Sequence, residues 1–236
     1  MKKIAFLTGM IASVAVSACG DKGIGQAAAN LIQAAVPAAQ AAPQSQSANA
    51  QKKWDGPFGL AMGLTPEQIK ASGTSLTAIP QIPGLMKSSG APSPNSSFNE
   101  YLYLFGSGTD SGLCKVVAST PTISANPFGD QIKDTFHELS KALTEKYGKP
   151  ETLQFVKRGS LWTDPNDWMM GLSKEERHHA SYWTLAKLGN LPNSISSIGL
   201  SAKAESPNKG YVSLSYEFSN FEACQEARKK SKNSSL

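Results

Sequence analysis

The stretch DQIKDTFHELSKALTEKY, from Asp130 to Tyr147, decides how the rest of the chain is read. Its apolar side chains Ile132, Phe136, Leu139, Leu143 and Tyr147 recur at spacings of 4, 3, 4 and 4. On a helix they form one stripe facing a core, and Gly148 and Pro150 end the helix. Working outward, the pattern changes to period two. Tyr101 to Phe105 and Leu113 to Ala118 are β-rich runs flanking Gly106-Ser107-Gly108-Thr109-Asp110-Ser111-Gly112, as in a hairpin. Downstream, Leu153 to Val156, Ile195 to Ala202 and Tyr211 to Phe218 read as strands, residues 165–180 as helical, and Asn220 to Lys230 as a closing helix. Upstream, Phe58 to Met62 reads as a strand. Thr65-Pro66-Glu67-Gln68 carries an N-cap Thr, a Pro at the first helical position and a Gln that closes a capping box, with Gly73 ending that helix. Pro80 to Ser97, with four prolines, reads as a long loop. Adjacent antiparallel-looking strands with helices between the groups imply an α+β class: an antiparallel sheet packed against a long amphipathic helix.

The amino-terminal residues speak of export. Lys2 and Lys3 precede about a dozen mostly apolar residues, Ile4 to Val16, too few to span a hydrocarbon core of ~30 Å. The run ends in Val16-Ser17-Ala18-Cys19, which resembles the bacterial lipobox: a branched aliphatic, two small residues and the Cys whose thiol takes the diacylglycerol. That resemblance implies a signal peptide over residues 1–18 and a lipid-bilayer anchor at Cys19. Gly20 follows the Cys, where lipoprotein sorting in Gram-negative bacteria commonly reads an Asp as inner-membrane retention. The resemblance therefore implies the outer membrane, with the body facing the periplasm. Residues 20–53 are Ala, Gln, Ser, Asn and Pro with almost no aromatics, a composition that cannot offset ordering entropy. They read as a flexible, disordered tether. Its reach is on the order of 30 Å for about thirty residues. The expected organisation is signal peptide 1–18, lipidated Cys and tether 19–53, one domain 54–228 and a fraying tail 229–236.

Charge excludes one class of partner. The chain carries +5 formally, but 9 of its 23 basic residues lie outside 54–227 against a single acid, Asp21. The body keeps 14 basic and 17 acidic residues, about −3 net. A nucleic-acid binder would place its Lys and Arg on the folded face instead. No nucleic-acid partner is expected.

Once Cys19 is acylated, Cys114 and Cys224 remain, an even pair in an oxidising compartment. A disulfide between them would pin the last helix to the sheet; two buried free thiols are the alternative. His137-Glu138 opens like a zinc-protease helix, yet Lys141 stands where the second His belongs. His178 and His179 are adjacent and cannot clamp one metal well from a helix. Gly108 to Gly112 lacks the Gly-x-Ser-x-Gly of a hydrolase elbow. Ser206-Pro207-Asn208-Lys209-Gly210 reads as a turn between strands. No phosphate-cradling loop or dinucleotide fingerprint occurs, so no cofactor, no metal and no catalytic residue is expected.

Two short segments are similar to pieces of known lipoproteins. Gly63-Leu64-Thr65-Pro66-Glu67-Gln68-Ile69, after Pro57-Phe58-Gly59, resembles an entry into a helix in small Gram-negative envelope lipoproteins. Among these is the small lipoprotein of the outer-membrane β-barrel assembly machinery. Leu143 to Pro150 is similar to the helix exit of many periplasmic proteins. Both are helix-boundary chemistry and imply no functional residue.

The least ordinary stretch is Leu161 to Trp183. On a surface, Trp162, Trp168, Met169, Met170 and Trp183 would suit recognition of a protein or peptide; the plainer reading buries them against the sheet. The expectation is a non-catalytic envelope module that binds another envelope protein through this segment or the Pro80–Ser97 loop. The alternatives are a periplasmic inhibitor or small-ligand binder and, further off, an enzyme with dispersed residues.

Overall fold

A computed structural model describes residues 54–106 and 112–233, with side chains to residue 230. Residues 1–53, where a signal peptide, an acylated Cys19 and a tether are expected, lie outside the described residues, as do 107–111 and 234–236.

The body is α+β. Among the described residues nine strands form one sheet: β1 (Thr77–Ala78), β2 (Leu85–Ser88), β3 (Glu100–Phe105), β4 (Leu113–Ser119), β5 (Ile123–Ser124), β6 (Glu151–Val156), β7 (Arg177–Thr184), β8 (Ile195–Ser206) and β9 (Lys209–Phe218). The spatial order is β1-β2-β3-β4-β9-β8-β7-β6, with β5 also on β9. Each pairing among the described residues is antiparallel. The sheet is therefore two meanders, β1 to β4 and β6 to β9, joined by β4 on β9. Among the described residues five α-helices accompany it: α1 (Pro66–Ala71), α2 (Asp130–Tyr147), α3 (Trp168–Ser173), α4 (Leu185–Leu188) and α5 (Phe221–Asn233). None is long and apolar enough to cross a membrane among the described residues.

Alternation along the strands builds the core. One cross-strand row runs Tyr103, Val116, Tyr216, Ile198, Trp183; the next runs Tyr101, Ala118, Leu214, Leu200, Ser181. These ten side chains are all buried. Against this inner face pack Ile69 of α1, Ile132, Phe136 and Leu143 of α2, and Trp168, Met169 and Leu172 of α3. The helix expected to be long is 18 residues. Gly210 lets it lie close to β9, because a Cβ there would meet Ile132 and the Lys203 carbonyl.

The outer face is treated differently. α5 covers its β2–β4 end through Leu85, Leu104, Phe221 and the sulfurs of Cys114 and Cys224. A bulge makes this possible. Leu104 pairs with Lys115 and Phe105 with Leu113, so Cys114 has no partner on β3 and turns out of the inner face. The Cα atoms of the disulfide are 6.5 Å apart, inside the ~7 Å that bridging requires.

Several boundaries depart from the sequence pattern. Phe58 to Met62 is not a strand: Pro57–Gly59 is a single 3-10 turn, with Phe58 at φ 56° and Gly59 at φ 71°. That reversal drops the Phe58 ring edge-on against Phe98, Tyr101 and Tyr216 at 5.1–5.7 Å. The Pro80–Ser97 segment contains β2 and is held by two core tyrosines. Tyr103 donates to the Gly90 carbonyl at 2.7 Å, and Tyr101 donates to the Asn95 carbonyl at 3.3 Å. Helix does not run through 165–180. After α3, Glu175 at φ 55° reverses the chain and β7 begins at Arg177. At the carboxyl end α5 continues to Asn233, into the residues expected to fray.

Candidate functional site

The Trp/Met segment loses most of its claim to be a surface. Trp168, Met169 and Trp183 are buried, at 5%, 0% and 0% exposure, and the expectation that they form a partner surface is corrected. The reason is geometric. In β7 the side chains of His179, Ser181 and Trp183 alternate onto the inner face, and α3 sets Trp168 and Met169 into the same core. Trp183 Nε1 donates to the Gly148 carbonyl at 2.7 Å, tying β7 to the end of α2. Trp168 stacks over Gly129, where a Cβ would collide with its ring, and takes the Lys133 ammonium at 4.9 Å. Only Trp162 and Met170 remain half-exposed, beside a hollow shared with Ser173, Lys174 and Pro207. Arg177 donates to the Trp162 and Thr163 carbonyls at 3.1 and 3.3 Å.

The histidines do not assemble a catalytic group. His178 and His179 occupy a strand, so they point to opposite faces. His179 lies 4.4 Å from Phe136 and 5.7 Å from Trp168, ring to ring. Burial, with help from Lys133 and Arg177, pulls its pKa down to about 4, so it is uncharged at neutral pH. It shares a cleft of about 380 Å³ with Lys133, Asp134, His137, Gln154 and Ser140. Its one hydrogen-bond partner there is Gln154, at 3.4 Å. A nucleophile and its base would stand about 2.6–3.2 Å apart; among the described residues no hydrogen bond joins a His to a Ser or a carboxylate. Among the described residues no group of three His, Cys, Asp or Glu is placed to hold a metal.

The outer face at the β6 end holds what sequence reasoning missed. Two cross-strand rows meet there. One runs Glu151, Tyr182, Gly199, Ser215, Val117; the other runs Leu153, Ala180, Ser201, Ser213, Ser119. The small side chains of β8 and β9 make a flat floor, and Tyr182 lies across Gly199, where a Cβ would stand 3.3 Å from its ring. Leu153 and Phe155 are each 43% exposed and Tyr182 37%, with His178 stacked flat on Phe155 at 4.6 Å. β6 is also the last strand of the sheet, with five of its six residues exposed. The signal was present in the sequence as Glu-x-Leu-x-Phe-x-Lys from Glu151 to Lys157, a strict period of two. Which face of that strand would be left open depends on contacts distant in sequence.

No protein-family model, no curated protein and no solved structure matches this chain.

Proposed function

We propose that this protein is an exported lipoprotein of the Gram-negative outer membrane, acylated at Cys19 and facing the periplasm. Its body is a non-catalytic module that binds another envelope protein. The observation that carries the binding reading is the open outer face, where Leu153, Phe155 and Tyr182 stand exposed together over a flat floor. An apolar cluster of this kind, rimmed by Glu151 and Lys157, suits protein association better than solvent. On the same reading α2 is the amphipathic element whose buried stripe closes one side of the sheet and leaves the other for a partner. The lipobox pattern at Val16 to Cys19 supports the anchor, and the body's charge balance speaks against nucleic acid. The cleft lined by Gln154 and His179 favours a second reading, a small-ligand binder.

The face reading is tested with a photo-crosslinking side chain at Tyr182 in intact cells. A discrete adduct with a second envelope protein is expected, absent when the probe sits at Glu67 and lost in Phe155→Asp. No heterologous adduct at Tyr182, or the same adduct at Glu67, overturns the reading. The anchor has its own test. Cys19→Ala should leave the precursor unprocessed and without lipid, since several acyl chains at ~0.8 kcal/mol per buried methylene hold the native protein to the bilayer. A mature Cys19→Ala protein that still fractionates with outer membrane would end the claim.

A further inference from the structure

We propose that β6 pairs with β6 of a second copy of this chain, antiparallel and centred on Gln154, joining two sheets edge to edge. The inference deepens the reading of the outer face, on whose border this strand lies.

The edge is open and competent. β6 contains no proline, no bulge and no charge between Thr152 and Val156, the devices that ordinarily guard an edge strand. The opposite edge, β1, is two residues long and offers nothing comparable. The backbone of β6 has its free groups in the right places. Lys157 N donates to the directly opposed Glu176 carbonyl at 2.7 Å, continuing the β6–β7 register by one step. Hydrogen-bonded and non-bonded pairs alternate in an antiparallel ladder, so Lys157, Phe155, Leu153 and Glu151 turn their peptide groups toward β7. Thr152, Gln154 and Val156 turn theirs outward, away from the sheet.

The side chains select the register. Along the outer face the strand displays Glu151, Leu153, Phe155 and Lys157 in alternation, all exposed. Turned antiparallel about Gln154, this series is its own complement. Glu151 meets the second copy's Lys157, Leu153 meets its Phe155, and each contact occurs twice. The same register sets Thr152 against Val156 and Gln154 against Gln154, which are the residues with outward peptide groups. Sliding by two residues either way keeps the backbone pairing but puts Leu153 against Leu153 or Phe155 against Phe155 and separates the charges. A two-fold contact of this kind is closed, so it stops at a dimer. It also doubles the open face, placing two Tyr182 floors on either side of a four-residue apolar ridge. Edge pairing alone is a modest interface, and confinement of both copies to one membrane surface through Cys19 raises their effective concentration.

The test uses the full lipidated chain in intact cells, with Leu153→Cys in one tagged copy and Phe155→Cys in a second. In the proposed register these residues form a non-hydrogen-bonded pair, with Cα atoms about 4.5 Å apart. Mild oxidation should give a disulfide dimer in high yield when both are present; each variant alone should give several-fold less. Glu151→Lys and Lys157→Glu should each abolish that dimer, and the double swap should restore it. Sedimentation of the purified lipoprotein in detergent, carrying only the charge substitutions, repeats the comparison without added thiols. Absence of the mixed dimer, equal yield from either variant alone, or failure of the double swap to restore association overturns the proposal. The heterologous adduct at Tyr182 reports separately on the face. It survives in the single charge variants if only self-pairing is wrong, whereas charge-swap rescue survives without it if only the face reading is wrong.

Discussion

Trp183→Ala is expected to destabilise the body by about 3–5 kcal/mol, the range for removing a large buried aromatic. Trp183 has no exposed surface and sits in a cross-strand row beside Ile198 and Tyr216. Its truncation leaves a void between β7 and α2. It also strands the Gly148 carbonyl, which accepts the indole hydrogen at 2.7 Å in the cap of α2. Trp183→Phe separates the two contributions. It keeps most of the apolar contact but leaves the carbonyl unpaired, and should cost about 1–3 kcal/mol. Urea unfolding with unchanged m-value is the measurement. A Trp183→Ala protein of native stability would mean that the side chain is not the core residue described here.

Cys224→Ser is expected to cost about 2–5 kcal/mol, the usual range for loss of a native disulfide. The bridged cysteines are 110 residues apart in sequence, so the bond restrains nearly half the unfolded chain. The chain-entropy account gives about 4–5 kcal/mol for a loop of this size. The double variant Cys114→Ala/Cys224→Ala should fall by a similar amount, because the same loop is released. α5 should respond first. It meets the sheet through Phe221 and Cys224 over Leu85 and Leu104, a small cluster by comparison with the inner core. Hydrogen exchange in Phe221–Asn233 should therefore accelerate on reduction well before exchange in β8 and β9. Unchanged exchange and an unchanged unfolding midpoint in the reduced protein would show that the bond does not hold the helix.

Much of the fold was legible because its signals are local. The stripe from Ile132 to Tyr147 and the stop at Gly148 returned α2 at its observed bounds. The Thr65–Gln68 capping box is formed by both of its hydrogen bonds, at 2.9 and 3.3 Å. Ser206-Pro207-Asn208-Lys209-Gly210, read as a turn from its Pro and Gly, holds the turn between β8 and β9 at Pro207-Asn208. The misses share one cause. Phe58 turns back on itself because three distant aromatic rings receive it, and nothing within Phe58 to Met62 says so. Residues 174–177, Lys-Glu-Glu-Arg, look helical, but the left-handed Glu175 and pairing with β6 override that preference. The same holds for the outer face. Leu153 and Phe155 carry the period of a half-buried strand, yet helices gathered on the inner side of the sheet leave the outer side of β6 bare. The Trp-rich segment was conspicuous by composition, and it proved conspicuous because a large core needs large side chains.

The sheet is sewn from two strips. Within each strip every strand lies beside its neighbour in sequence, with connections running from two residues between β8 and β9 to twenty between β6 and β7. The seam is another matter: Val116 must find Tyr216, with strands β6 to β8 and helices α2 to α4 between them. Cys114 stands two residues from that stitch and Cys224 just past the end of β9, so the covalent bond runs alongside it. Once oxidised, the chain carries the most distant of its pairings as a near neighbour. A body that is pulled open or heated then has shorter searches to make on the way back.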